Sequence, residues 1–538
     1  MKQLMLRAAL VLLPLLSFTA SASSDPLCRG GIAAAAKRLG ADGTTTPQQR
    51  YQTLVKTCAQ DEIVPLAKTL ISFQTVSADS QRHPVELKKM SAFLRRWAAQ
   101  HGFSFRAIGK NDVFELARGK GPVKLAFVFH GDVVPAPRHE WTHDPFDAVV
   151  EDGKLIGRGA DDDKGPLAAA LVSLAAAKAA GVTPDGQVRI IIGTSEENGW
   201  DAMMAYAKSA PKAEHTISVD AGFPVIAGQS GFVAWTLTAT QKNEAGPKDG
   251  RFTVTDMAAG EFLTQVPGEA RMTLFLSGLK EDAALKRVHT AIDELSRSRQ
   301  DFHADVALKD GELIVTTHGK PVHSSVAEQG HNALWDLAAL AVKLDVRETP
   351  FGRLLREVAE HFDGDHRGKK LGVFYEDEFM GPLVVSPNVL RVERKPGTNE
   401  AVATLAVNMR RPQGRDNATF AASLDAAAKA ISDHTAGAVT EVVGSRHIGD
   451  PHLADTSGPL VETLTAIYKQ YRGGEDAKPR SIRGGTYARL FDGAVDFGPG
   501  FPGDPVTAHG ADEWISVDHL GLLAQMLSEA VLRLAVQP

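Results

Sequence analysis

No long basic stripe runs through this chain and its formal net charge is −6, so the electrostatic footprint expected of a nucleic-acid partner is missing. Beyond the first residues, no segment carries the roughly 20 consecutive apolar residues that span a bilayer, so no stable membrane anchor is expected. Cysteine is scarce: with Cys28 and Cys58 alone, a single intrachain disulfide is the maximum. Neither an internal repeat nor a low-complexity tract breaks the chain, which sets aside repeat architectures.

What is present is length and apolar content. At 538 residues and 43% hydrophobic the chain is too long for one ordinary core, and two domains are the default. At the N-terminus Lys2 and Arg7 precede an apolar run over residues 8–16, and Ala20-Ser21-Ala22 follow, the three regions of a secretory signal peptide. Pro14 and Ser17 interrupt the run, which argues against an anchor. Cleavage near Ala22 would leave a secreted or periplasmic protein and remove Lys2 and Arg7, taking the net charge from −6 to −8. In an oxidising compartment Cys28 and Cys58 can close a disulfide.

Residues 32–39, 47–69 and 85–101 have apolar positions at helical spacing and read as covering helices. Residues 124–130 (K-L-A-F-V-F-H) form a nearly continuous apolar run, as a strand buried on both sides does, with His130 at its C-terminal end. A helix over 167–180, rich in Ala and Leu, stops at Gly181, and strands follow at 188–194 and 216–219. This order predicts an α/β domain with a mixed, largely parallel sheet and helices on both faces, whose ligands gather beyond the carboxyl ends of the strands. After Gly231 the texture changes to strands and helices without acidic ends, including a helix over 281–295 and a strand over 401–409, which reads as an inserted α+β lid domain. The expected division is a signal peptide over 1–22, a catalytic domain from 23–230 and 450–538, and a lid over 231–449.

The stretch Gly157 to Gly165, G-R-G-A-D-D-D-K-G, sets three adjacent carboxylates between glycines at a loop-to-helix junction. Alone, such a run is most simply a solvated surface or a helix cap. Its company shifts the reading: His130 and Asp132 lie upstream, and Glu196, Glu197 and Asp220 downstream, each after a short apolar strand. Neutral imidazole and carboxylate oxygen are ligands of zinc. His130, Glu197, Asp220, a late His and one bridging Asp of the stretch could hold two ions, and the residues alone do not choose among Asp161, Asp162 and Asp163. Adjacent Glu196 and Glu197 allow one to bind metal and the other to act as base. Asp132 could accept the second imidazole N–H of His130 and fix its tautomer.

These segments resemble the co-catalytic di-zinc exopeptidases that include glutamate carboxypeptidase, aminoacylase and succinyl-diaminopimelate desuccinylase, and most of all their dipeptidase V branch. The matching motifs are H-G-D-V-V-P at 130–135, W-T-H-D-P-F at 141–146, D-G-K-L-I-G-R-G-A-D-D-D-K-G-P at 152–166, G-T-S-E-E-N-G-W at 193–200 and S-V-D-A-G-F-P at 218–224. They continue as G-K-P-V-H-S-S at 319–325, N-M-R-R-P at 408–412, G-G-T-Y-A-R at 484–489 and F-P-G-D-P-V-T-A-H at 501–509.

The resemblance implies two zinc ions, with manganese or cobalt able to substitute. His130 and Asp220 would hold one, Glu197 and His509 the other, and Asp162 would bridge, being two places before the Lys-Gly pair. Glu196 becomes the general base for a water shared by the metals, and Asp132 belongs to the same catalytic group. His323 would reach over from the inserted domain to polarise the scissile carbonyl, Arg410 would pair with the substrate carboxylate, and Gly484, Gly485 and Thr486 would bring donors to the substrate. The expected activity is hydrolysis of very short peptides with a free C-terminal carboxylate, by a monomer. An N-acyl-amino-acid amidohydrolase would share the metal centre, and a non-catalytic peptide-binding envelope protein is the remote alternative. One departure stands out: dipeptidases tend to carry a substrate-binding Asn just before Val266-Pro267, where this chain has Thr264 and Gln265.

Overall fold

The computed structural model describes residues 25–41, 43–242, 247–474 and 477–536, and the proposed signal peptide lies outside them. The chain divides into two compact units: unit 1 holds residues 1–223, 466–474 and 497–538, and unit 2 holds 224–465 and 475–496.

Unit 1 is built on a mixed sheet. Strand Val123–His130 runs parallel to Gln187–Gly193 on one side and to Ala213–Ser218 on the other. An antiparallel hairpin, Ser104–Ile108 with Val113–Gly119, extends the edge by pairing Val113–Gly119 antiparallel to Gln187–Gly193. The central strand is buried along nearly its whole length, which is why it needed a continuous apolar run. His130 pairs in register with Gly193, so the two strands finish side by side and release their following loops at one end of the sheet.

Helix Lys164–Ala179 is apolar on every side and buried from Lys164 to Ala177, as a helix enclosed by neighbours requires. It packs with helices Pro47–Ile71 and Val517–Ala535. Thr46 starts the first of these with a capping box, its hydroxyl accepting from Gln49 N while the Gln49 side chain accepts from Thr46 N. Cys28 and Cys58 are joined by a disulfide that ties the segment before helix Ile32–Gly40 to helix Pro47–Ile71. Among the described residues no helix is long and apolar enough to cross a membrane.

Unit 2 carries an antiparallel sheet in the order His303–Lys309, Glu312–His318, Glu269–Phe275, Thr253–Ala259, Val384–Arg394, Glu400–Arg411, Gly231–Lys242 and Val439–Glu441. Gly231–Lys242 alternates buried and part-exposed residues, the period of a sheet with one covered face. Trp235, Leu237 and Phe252 pack there in one core with Leu337, Phe351, Leu355 and Phe420 from helices Ala333–Lys343, Pro350–His361 and Asn417–His434.

Candidate metal centre

The apolar strand Val123–His130 ends in a histidine that is 1% exposed. Its Nδ1–H donates to the Asp132 backbone carbonyl at 3.0 Å, so Nε2 is the nitrogen turned toward the acids. Asp162 Oδ1 lies 2.6 Å from that Nε2, and Asp220 Oδ1 lies 3.6 Å from it. The second oxygen of Asp162 is 3.1 Å from His509 Nε2, which is also 3.1 Å from Glu197 Oε2. Asp162 therefore stands between two imidazoles and gives one oxygen to each.

Asp132 orients His130 differently from the sequence expectation. The backbone carbonyl, not the carboxylate, makes the short bond, and Asp132 Oδ1 stays 3.6 Å from Nδ1. The reason is that the carboxylate is already occupied: its two oxygens accept from Glu196 N at 3.0 Å and Glu197 N at 3.1 Å. Asp132 thus fixes the backbone that presents both glutamates. Asp163 stands at the N-cap of helix Lys164–Ala179 yet makes no capping bond, because its Oδ2 accepts from His130 N at 3.1 Å.

The loop before that helix needs its glycines. Gly159 has φ +92°, where side chains are disfavoured, and a Cβ on Gly165 would sit 2.0 Å from the Ala160 carbonyl oxygen. Glu513 holds the loop, and sequence reading missed it. Fully buried, its Oε1 accepts from Gly159 N at 3.1 Å, Asp161 N at 2.9 Å and Asp162 N at 3.1 Å, while Oε2 pairs with Arg158 at 2.5 Å. The available signals were weak: an arginine between two glycines, and a glutamate four places after His509.

The electrostatics ask for a cation. Burial alone would discharge His130, but the Asp162 and Asp220 carboxylates outweigh it and hold its pKa well above the usual value. For His509, too, burial is overcome by Asp162 and Glu197, which push its pKa up to about 11. Burial would raise Asp162, yet His130 and His509 hold it well below the usual carboxylate range. The remaining acids go the other way. Burial and the Asp220 carboxylate push Glu196 well up, burial and Asp162 raise Glu197, and Asp161 and Asp163 are raised by burial and neighbouring carboxylates. More carboxylates are packed together than two imidazoles can balance. Ligating atoms of His130, Asp162 and Glu197, and again of His130, Asp163 and Asp220, lie within 4.8 Å of one another. Imidazole nitrogen and carboxylate oxygen in this arrangement fit divalent zinc-type ions. The Lys164 ammonium donates to the Phe73 carbonyl at 2.6 Å, and burial, opposed by Asp132 and Glu513, pulls its pKa down to about 7.

The other expected residues belong to unit 2. His323 precedes the turn Ser324–Gln329, with Nδ1 2.7 Å from the Ser325 hydroxyl, and Gln265 bridges to it along the backbone. Arg410 is 6% exposed. Its guanidinium donates to Asn408 Oδ1 at 3.2 Å and Ser324 Oγ at 3.3 Å and lies over the Phe232 ring. Among the described residues no carboxylate pairs with it, and burial, reinforced by Arg489, pulls its pKa down to about 10. Thr486 donates to Asp496 Oδ1 at 2.8 Å and accepts from Gln229 Nε2 at 2.8 Å, so its hydroxyl serves a buried network. Gly484 is open around its Cβ position, with only Ile482 Cδ1 near, at 3.9 Å. Gly485 lies in the same turn-rich segment.

Comparison with known proteins gives a consistent result. A family model described as Peptidase family M20/M25/M40 matches residues 126–533. YtjP of Bacillus subtilis (strain 168) is 32% identical over 418 residues, 78% of this chain and 84% of that protein. A beta-Ala-Xaa dipeptidase of Lactobacillus delbrueckii subsp. lactis is 32% identical over 419 residues, 77% of this chain and 83% of that protein. Among solved structures, human carnosine dipeptidase 1 shares the fold with a TM-score of 0.54 at 15% identity, over 91% of this chain and 99% of that one.

Proposed function

The chain belongs to peptidase family M20/M25/M40 and is a metallopeptidase that hydrolyses peptide bonds, and from that premise we propose that it is an exported, monomeric dipeptidase working with two zinc ions. The observation that carries the proposal is Asp162, whose two oxygens face His130 and His509 separately. A carboxylate so placed is what a pair of ions needs to be held together. In this reading His130 and Asp220 hold one ion, Glu197 and His509 the other, and Asp162 both. Bound there, the ions would supply Lewis acidity toward the peptide carbonyl.

The rest falls to side chains. Glu196 carries no ion in this assignment and is free to take a proton from the attacking water and return it to the leaving amine. Asp132 keeps it in place through the Glu196 N–H. His323 would donate to the developing oxyanion. Arg410, buried and without an anionic partner among the described residues, suits a substrate carboxylate, because a planar guanidinium binds one bidentately. That preference for a free C-terminus, with the dipeptidase relative, supports very short peptides as substrates. Export is supported by the Cys28–Cys58 disulfide, which an oxidising compartment sustains.

The test sets dipeptides beside N-acetyl amino acids, with wild-type protein and Glu196→Ala. We expect dipeptides to be the better substrates, and Glu196→Ala to keep its metal while losing roughly 10²- to 10⁴-fold in kcat. Faster release of the acetyl group would make the protein an amidohydrolase instead. Loss of metal along with activity would make Glu196 a ligand.

A further inference from the structure

Two helices of unit 2, Pro350–His361 and Asn417–His434, each end in a histidine. Glu357, one turn before His361, stands next to both rings: its Oε1 is 2.9 Å from His434 Nδ1 and its Oε2 is 3.1 Å from His361 Nε2. We propose that Glu357, His361 and His434 form a binding site for a divalent transition ion of the zinc class, built from residues that take no part in the cluster around Asp162.

Four features point to a cation there. First, the Glu357 side chain is 2% exposed, and among the described residues its oxygens pair with the His361 and His434 imidazoles and with no lysine or arginine. A buried carboxylate held only by imidazoles, which are neutral unless protonated, calls for a counter-charge. Second, His361 is committed by its other nitrogen: Nδ1–H donates to the Lys370 carbonyl at 3.3 Å, which turns the Nε2 lone pair toward Glu357. A carbonyl behind an imidazole in this way is how proteins orient a metal-binding histidine. Third, the carbonyl-rich C-terminal ends of both helices meet the cluster, and helix C-termini favour positive charge. Fourth, the ligating atoms all lie within 4.8 Å of one another, and ligands about 2.0–2.1 Å from a tetrahedral zinc stand about 3.3 Å apart.

Two imidazoles and one carboxylate form the donor set that suits zinc, cobalt or nickel better than magnesium or calcium. The fourth position opens to solvent, since the His434 side chain is 56% exposed. Glu360, whose Oε2 is 3.6 Å from His434 Nδ1, can turn in to complete the shell. The ion would tie two helix ends of the unit 2 core together.

The competing arrangement is a proton shared in a His361–Glu357 ion pair, and metal analysis separates the two. Metal-free full-length wild type, His434→Ala, His361→Ala, Asp162→Asn and the Asp162→Asn/His434→Ala double variant are incubated with zinc, freed of excess by gel filtration and analysed for bound zinc per chain. We expect each histidine variant to hold one zinc fewer than wild type while still cleaving dipeptides, and Asp162→Asn to lose a further equivalent when combined with His434→Ala. Equal zinc content in wild type and His434→Ala would overturn the proposal. His434 lies exposed at a helix end, so that variant decides the question even if His361→Ala does not fold. Loss of zinc from Asp162→Asn alone bears on the other cluster and leaves this comparison readable.

Discussion

Replacing Glu513 with Gln isolates the charge that holds the Gly157–Gly165 loop. Gln keeps the shape and one carbonyl oxygen, so the N–H groups of Gly159, Asp161 and Asp162 can still find an acceptor. What disappears is the counter-charge of Arg158, whose side chain is 3% exposed. Hydrogen bonds to a charged group contribute ~1.5–3 kcal/mol each against ~0.5–1.5 kcal/mol for neutral ones. Leaving one member of a buried ion pair alone costs ~3–5 kcal/mol. Arg158 retains weaker bonds to the Pro135, His509 and Gly510 carbonyls, which offset part of the loss. A destabilisation of ~3–4 kcal/mol is therefore expected, and with a urea m-value of about 2–3 kcal/mol/M the unit 1 midpoint should fall by roughly 1–2 M. Because the same carboxylate fixes the Asp162 backbone, kcat/KM should fall at least roughly tenfold, equivalent to ~1.4 kcal/mol. Joint replacement, Arg158→Met with Glu513→Gln, should recover part of the stability, since no buried guanidinium is then left unpaired while the three loop N–H groups keep an acceptor. An unchanged urea midpoint and unchanged kcat/KM in Glu513→Gln would refute the reasoning.

Arg410→Ala should lower kcat/KM roughly 10- to 150-fold for dipeptides, the worth of a charged hydrogen bond, and far less for their C-terminal amides. Equal losses on both would exclude carboxylate capture. The Cys28→Ser/Cys58→Ser variant should lose roughly 3–4 kcal/mol in the chain-entropy model for a sequence separation of 30, and reduced wild type should match it in urea denaturation. His331 should add a pH-dependent increment to unit 2. Its Nε2 is 2.6 Å from the buried Asp336 carboxylate, and that hydrogen bond raises its pKa. The proton is held more tightly in the folded state, so the stabilisation is complete below about pH 6.5 and is lost as pH rises through the folded value. Urea midpoints measured across that range should show a decline in wild type that His331→Asn flattens.

Much of the catalytic half was legible because its residues follow buried strands. A run such as 124–130 can be apolar throughout only if both faces are covered, and its end then marks where a polar side chain meets solvent or ligand. The helix over 167–180 and the strand over 188–194 correspond to Lys164–Ala179 and Gln187–Gly193 in the structure. The edge hairpin had no such signature, since Ser104–Ile108 contains no buried residue. Helix Pro350–His361 was missed although Thr349 caps it, because its apolar stripe is short and flanked by charge.

Sequence determined the cast: a strand-end histidine, acids after successive strands, glycines where a loop must turn, and a carboxylate stretch out of place on a plain surface. Helical and strand periods are local properties, and so they survive in one dimension. Tertiary structure decided which acid does what. Asp162 rather than Asp161 or Asp163 faces both histidines, Asp132 spends its carboxylate on the glutamate backbone, and Glu513, some 350 residues from the loop, supplies its acceptor. Each of these depends on the direction of a single carboxylate in three dimensions, set by whichever unpaired N–H or cation the fold brings within hydrogen-bonding distance, and spacing along the chain carries no record of it.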